Sequence, residues 1–358
     1  MRLDIDGRNC ELESGRSILD AVKKEGLDSI MLSDRPLAAQ IGGEVFNLRF
    51  TPKKDTQIHL LRYGEDMGRR VYERTLQFLF ILAMRKEFPR ARVCVRYSLG
   101  PGLFITVDGM EEPFNEEAAL KVETEMRRLV RLKLPLERRR ISIKEALSFY
   151  EQDGQADKAK LLKWRRFSYF DVYQIDGYMD YFYGEMAPDT SYADVFRVKY
   201  VHDGAVVLLM PRNDAPDVPS DYVDLPKLHA VFHQSDEWGK LMECATVNDL
   251  NTHIQNGTIR ELVRINEALH DRGYADIADK IVQKGAKAVL VAGPSSSGKT
   301  TSAHRISTQL RLQGCHPVML SLDDYYIDRD KIERDENGEI DLENINTLDI
   351  QRFGSDLA

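Results

Sequence analysis

Hydrophobic positions change period several times along this chain, and each change marks an element. Leu3 and Ile5 alternate with polar neighbours, Gly7 turns, and Cys10 and Leu12 resume the alternation, which predicts a hairpin. Ser17 to Val22 has helical spacing that stops near Gly26. Leu37 to Ile41 runs into the Gly42-Gly43 turn, and Ile58 to Leu61 reads as a closing strand. A long helical pattern covers Met67 to Phe88. It is followed by strands at Val93–Tyr97 and Gly102–Val107, with Asp108-Gly109 as a turn. Helices are predicted at Glu116–Lys133 and Ser142–Tyr150.

The stretch from Tyr169 to Tyr183 is crowded with aromatics. With no Lys or Arg between Phe167 and Glu185 it reads as a core strand pair rather than a base-stacking platform, which needs a basic track. Asp224-Leu225-Pro226 and His233 to Asp236 punctuate the chain before a helical connector. There Thr258 and Glu261 form a capping-box pattern, Leu262, Ile265 and Leu269 share a face, and Gly273 interrupts. Two apolar runs, Ala288–Ala292 and Pro317–Leu322, flank a helix from Lys299 to about Gln313 that stops at Gly314. This strand–helix–strand order predicts a βαβ unit of a parallel sheet. The expected organisation is 1–62, 63–232, a connector at 233–285, and 286–358.

Composition narrows the class. A length of 358 residues suggests about two to three domains. With a net charge of −8 there is no global basic field favouring nucleic acid. The four cysteines have no C-x-x-C spacing and read as small apolar residues in a reducing compartment. The N-terminus lacks a signal-peptide pattern, and Leu76–Met84 is too short to span a bilayer. A cytoplasmic protein is expected, with no membrane partner and no indication of oligomeric state.

The chemistry concentrates at Gly293-Pro294-Ser295-Ser296-Ser297-Gly298-Lys299-Thr300, followed by Thr301. This is G-x-x-x-x-G-K-[ST] between an apolar run and a helix. Small residues let successive N–H groups wrap a phosphate, and the helix N-terminus adds its positive dipole end. Lys299 supplies charge for the outer phosphates, and the Thr300 hydroxyl suits Mg²⁺, so ATP and Mg²⁺ are the expected cofactors. Asp323 follows the second apolar run. Ligands of open α/β sheets sit at the carboxyl ends of strands, so Asp323 is a candidate base or metal partner beside the phosphate loop.

Three stretches carry family resemblances. Gly15 to Leu19 before the first helix and Ile41 to Leu48 after it resemble the TGS domain, a β-grasp module found in threonyl-tRNA synthetases and some regulatory GTPases. The resemblance implies RNA or ligand sensing; a packing module without ligand is the alternative. The order of elements in 63–232 resembles the second additional domain of threonyl-tRNA synthetase, whose editing site uses an H-x-x-x-H helix and a later C-x-x-x-H segment. Aligned on Phe88-Pro89, the two histidine positions fall on Arg74 and Phe78. Aligned on Met179 to Tyr181, the Cys and His positions fall on Phe182 and Met186. None of the four suits a hard ion, so the editing chemistry is expected to be absent. His202, His229, His233 and His253 have no metal spacing with cysteine, and no zinc site is expected.

The loop together with Ser321-Leu322-Asp323-Asp324-Tyr325-Tyr326 resembles the uridine kinase and phosphoribulokinase group. The resemblance implies that Asp323 activates a nucleoside 5′-hydroxyl while Tyr325 and Tyr326 shape the nucleoside pocket. Glu343, in a segment similar to the family's F-D-H-P-D core, would contact ribose. His-Pro is replaced there by Asn344-Ile345, which leaves the nucleoside open. The whole reads as multidomain α+β and α/β: a β-grasp module, a synthetase-like α+β domain, then the start of a P-loop kinase parallel sheet. The kinase family's further strands, acidic Mg²⁺ partner and arginine lid are not found before Ala358, so an N-terminal piece, inactive alone, is expected. The rival reading is a nucleotide-binding protein responsive to RNA or ligand. The absence of N-K-x-D weighs against a guanine switch.

Overall fold

The computed structural model describes residues 2–202, 204–332, 334, 340–342 and 344–357. It divides into two units, Met1–Asn251 and Thr252–Ala358, a division that falls inside the expected connector.

The first unit opens with β1 (Arg2–Ile5), β2 (Arg8–Glu11), α1 (Ile18–Lys24), β3 (Ala38–Ile41), β4 (Glu44–Phe46) and β5 (Thr56–Leu61). They form a mixed sheet of order β2-β1-β5-β3-β4, in which β1 and β5 run parallel and the other pairs antiparallel. The alternation dictates the packing: Leu3, Ile5, Cys10, Ile58 and Leu60 turn to one face and meet Ile18, Leu19, Ala21 and Val22 of α1. Ser17 and Asp20 close a reciprocal capping box that starts this helix. The arrangement is consistent with a β-grasp.

The chain continues through α2 (Asp66–Glu87), β6 (Arg92–Leu99), β7 (Gly102–Asp108), α3 (Glu116–Leu132), β8 (Glu137–Ser142), α4 (Ile143–Gln152), α5 (Ala156–Leu162), β9 (Tyr169–Ile175) and β10 (Tyr178–Asp180). After these come β11 (Arg197–His202), β12 (Ala205–Leu209), a ribbon of β13 (Pro211–Arg212) and β14 (Ala215–Pro219), α6 (Pro226–Leu241) and α7 (Val247–Asn256). An antiparallel sheet of order β11-β12-β7-β6 carries the main core. Its central strand β12 is apolar at every position because both faces are covered. Val206 and Leu208 join a cluster with α2 and α3, while Ala205, Val207 and Leu209 pack with Leu99, Phe104 and Leu225 on the other face.

A smaller sheet, β10-β9-β8, packs Ile141, Phe170 and Val172 against Ala146 and Tyr150 of α4 and Ala159 and Leu162 of α5. The aromatic stretch is thus core at Phe170 and Tyr173, but Tyr169 and Tyr183 are exposed. The neighbouring strand β8 lays Arg140 over the Tyr169 ring at 4.1 Å. The basic residues missing along the chain therefore arrive across the ladder, where Asp171 and Glu185 pair with Arg138 and Arg140.

At the start of α2, Gly68 is buried against the preceding chain, and a Cβ there would lie 1.9 Å from the Arg62 carbonyl oxygen. A backbone atom cannot rotate away. Gly68→Ala is expected to destabilise the unit by about 3 kcal/mol or more, because overpacking against backbone has no cheap relaxation. Gly64→Ala, with open space around its Cβ position, is the control. Thermal unfolding of both variants checks this; equal melting temperatures would refute it.

The second unit holds α8 (Ile259–Gln283), α9 (Lys299–Leu312) and α10 (Ile350–Leu357). Ala278, Ile306 and Leu310 pack together between α8 and α9, with Tyr274 and Ile281 alongside. Arg305 pairs with Asp271 at 3.0 Å, and Gln313 donates to Asp279 at 2.7 Å.

Three expectations need correction. Gly273 does not interrupt α8, which runs unbroken through it; one interior glycine costs only about 1 kcal/mol in a helix. The Thr258/Glu261 capping box does not form, because the Thr258 hydroxyl is engaged by His253 Nδ1 at 2.8 Å. The apolar runs Ala288–Ala292 and Pro317–Leu322 are not strands, and no P-loop sheet is evident among the described residues. Both runs lie open to solvent, with Leu290 89% and Val318 84% exposed. A parallel strand is stable when a ladder and both faces cover it, and these two runs have neither. No helix of the described residues is long and apolar enough to cross a membrane.

Candidate functional site

The phosphate-loop residues lie where the chain enters α9. Ser296 takes φ 59° and Gly298 takes φ 84° with ψ 20°, so left-handed turns fold the loop immediately before the first helical residue, Lys299. Gly298 suits this position because it has no Cβ to strain there. Ser297 N–H donates to Pro294 C=O at 3.2 Å, closing the turn. The helix begins without a side-chain cap, so its first N–H groups have no side-chain acceptor, as an anion site requires. The Lys299 ammonium folds back and donates to the carbonyls of Gly293 at 2.8 Å and Pro294 at 2.9 Å. Ser295, Ser296, Ser297, Thr300 and Thr301 are exposed, and neither threonine hydroxyl has a protein partner among the described residues.

Asp323 lies on a single 3₁₀ turn, Leu322–Tyr325, exposed and without an ion pair among the described residues. Its two neighbouring tyrosines take different places. Tyr325 is buried, its hydroxyl donating to Asp356 of α10 at 2.9 Å and its ring meeting Phe353 edge-on at 5.1 Å. Tyr326 is exposed and donates to the Leu342 carbonyl at 3.1 Å. The Tyr325–Ile327 backbone pairs with Thr347–Asp349, through Ile327 N–H to Thr347 C=O at 2.9 Å and Asp349 N–H to Tyr325 C=O at 2.7 Å. Tyr325 thus ties the Asp323 turn to α10, a packing role beside the pocket role expected of it. Glu343 lies outside the described residues. The structure brings Gly293 and Pro294 to Lys299, and brings no side chain of that loop to Asp323 by a hydrogen bond or ion pair among the described residues.

In the first unit, the four positions expected to replace editing-site ligands do converge. Phe78 and Phe182 rings lie 5.3 Å apart, Met186 is fully buried in the same cluster, and Arg74 Nε donates to Glu185 C=O at 2.9 Å. Burial lowers the Arg74 pKa from its ordinary value. No group of three or more His, Cys, Asp or Glu residues that could hold a metal ion occurs among the described residues.

One polar pair beside this cluster escaped the sequence reading. Asp180 is 2% exposed, and Lys158 Nζ donates to both its oxygens at 2.6 Å. Tyr178 adds a hydrogen bond to Asp180 at 3.2 Å. The only trace in the sequence is an aspartate within an aromatic run; its partner lies 22 residues earlier on α5, with no spacing rule to link them.

No family model matches the chain. It is similar to threonine–tRNA ligases: 25% identical over 194 residues to that of Clostridium kluyveri, covering 54% of this chain and 30% of the ligase. The match to the Carboxydothermus hydrogenoformans ligase is 27% over 175 residues, covering 47% and 26%. The Acetivibrio thermocellus ligase gives 28% over 160 residues, covering 44% and 24%. The chain thus carries distant similarity over about half its length to threonine–tRNA ligase, and spans less than a third of those relatives.

Proposed function

We propose that the second unit carries a phosphoryl-transfer site of uridine kinase type, which moves the γ-phosphoryl of ATP to the 5′-hydroxyl of a nucleoside in the cytoplasm. The observation that carries this reading is the left-handed loop of Gly293–Gly298 opening onto the uncapped N-terminus of α9, with Lys299 folded over it. In this reading Lys299 and the loop amides neutralise phosphate charge, Thr300 holds Mg²⁺, and Asp323 accepts the proton of the attacking hydroxyl. Tyr326 and Glu343 contribute to acceptor binding, and Tyr325 positions Asp323. The first unit is read as a TGS-like module followed by a synthetase-like domain whose ligand positions hold Arg74, Phe78, Phe182 and Met186.

The test is MgATP binding by calorimetry on this chain, and phosphoryl transfer to a panel of nucleosides by the native protein isolated from cells, since residues 1–358 alone are expected to be inactive. Asp323→Asn is expected to leave MgATP binding unchanged and to reduce transfer about 10²- to 10⁴-fold, the usual contribution of a positioned base. Full transfer by Asp323→Asn would remove the base assignment, and no MgATP binding by the unsubstituted chain would overturn the whole reading. A second reading is supported by the similarity to threonine–tRNA ligases over about half the chain: a nucleotide-binding regulatory protein responsive to RNA or ligand. Tight MgATP binding with no transfer to any nucleoside, sugar phosphate or pantothenate would favour it.

A further inference from the structure

Two histidines that the sequence keeps far apart meet on the outer face of the main sheet. His202 closes β11, and α6 carries His229 and, one turn on, His233. The Nε2 atoms of His202 and His229 lie 3.2 Å apart, with ring centroids at 5.0 Å. On the other side of the His229 ring, Nδ1 lies 2.8 Å from the Tyr97 hydroxyl of β6. The Phe104 ring packs against both imidazoles, at 4.9 Å from His229 and 5.7 Å from His202. Tyr97 stacks on Phe232 of α6 at 4.1 Å, which fixes the helix to the sheet. His229 is half-buried and His202 exposed, so the gap between them is open to solvent.

Two nitrogens bound to one tetrahedral zinc at its usual bond length stand about 3.3 Å apart. Sequence spacing gave no expectation of a metal site at these histidines, but on their 3.2 Å approach we propose that His202 and His229 form a two-imidazole site for a divalent transition-metal ion, with water completing the coordination. Imidazole nitrogen suits zinc, nickel and copper. The Tyr97 hydroxyl sets the chemistry of the site: accepting a hydrogen bond from His229 Nδ1–H, it leaves the Nε2 lone pair aimed at the gap, the usual arrangement behind a metal-bound histidine. The charged groups nearby are Asp224, whose field acts on His229, and Asp236, 4.0 Å from Arg96.

Metal entry balances simply. In the neutral pair one Nε2 carries a hydrogen directed at the other. That imidazole passes to its Nδ1–H tautomer, both lone pairs take the ion, and four of the six waters of the hydrated ion leave as it becomes tetrahedral; a pair holding one extra proton releases it. Two protein ligands make a reversible site, weaker than a four-ligand structural zinc. Its consequence is a clip between β11 and α6, which stabilises the docked helix by mass action.

The test is titration of zinc and nickel chloride into the untagged, metal-stripped chain at neutral pH, read by calorimetry and by histidine nitrogen chemical shifts. One ion per chain is expected, shifting both Nε2 resonances. His202→Gln and His229→Gln should each weaken binding at least about tenfold, and Tyr97→Phe by a smaller factor, as loss of an outer-shell partner does. His253→Gln, whose ring is engaged by Thr258, should change nothing. The melting temperature of metal-free His202→Gln, measured beside its zinc affinity, separates loss of a ligand from loss of folding. No ion bound, or binding unaltered in both His202→Gln and His229→Gln, would overturn the proposal.

Discussion

Lys299→Ala is expected to weaken MgATP binding about 10- to 150-fold, the equivalent of one or two charge-assisted hydrogen bonds. Among the described residues, Lys299 Nζ is held by two carbonyls of its own loop, Gly293 and Pro294. Those bonds are neutral-acceptor contacts at an open surface, so exchanging them for phosphate oxygens gains charge complementarity at little expense. The loop amides and the start of α9 stay in place in the variant, which explains why binding should fall rather than vanish. Lys299→Arg should not restore it, because a planar guanidinium fork does not reproduce the compact ammonium that reaches the Gly293 and Pro294 carbonyls. The residue is not part of the α8–α9 packing of Ala278, Ile306 and Leu310, so the melting temperature of the free chain should hold. Calorimetric titration of the three proteins checks this. Affinity for Lys299→Ala within about twofold of the parent, less than 0.5 kcal/mol, would show that the loop does not hold the nucleotide.

What was legible in the sequence follows from where the packing is local. Leu3, Ile5, Cys10 and Leu12 alternate because one face of a sheet meets one helix, and that face is read directly. The unbroken apolar run of β12, not among the expected strands, has a similar origin, since two clusters cover it. The turn from Gly293 into α9 was legible because eight consecutive residues carry it. Errors arose where a neighbour from elsewhere decides the outcome. Ala288–Ala292 has strand composition, but a strand exists only with a ladder, and none reaches it. Thr258 has the right partner three residues on, yet His253 takes its hydroxyl first. No Lys or Arg lies between Phe167 and Glu185, yet Tyr169 has Arg140 over its ring from across the sheet. Arg74, Phe78, Phe182 and Met186 lie near one another, two of them one turn apart on α2 and two four residues apart before Asp189. The pair of Lys158 and Asp180 beside them depends on a fold-level meeting that no local pattern announces.

Arg35→Met is expected to destabilise the first unit by about 3 kcal/mol, the lower end of the range for breaking a buried ion pair. Arg35 is 8% exposed and bridges segments distant in sequence. Its Nη1 and Nη2 donate to the two oxygens of Asp194 at 2.8 and 3.0 Å, a bidentate pair. The same guanidinium donates to the carbonyls of Ser29 at 3.3 Å, Ser191 at 3.4 Å, Tyr192 at 3.3 Å, and Ile30. One side chain therefore satisfies the turn before β3 and the turn before β11 together. Methionine fills much of the volume and donates nothing, which leaves these acceptors without a partner and Asp194 without its counter-charge. The penalty stays at the lower end because the Asp194 side chain keeps 34% of its surface in solvent. Asp194→Asn added to Arg35→Met should recover part of the loss, since the stranded charge is then removed. Both tryptophans, Trp164 and Trp238, lie in Met1–Asn251, so urea unfolding followed by tryptophan fluorescence reports this unit alone. A midpoint unchanged in Arg35→Met, or a double variant less stable than the single one, would show that the guanidinium does not hold the two turns together.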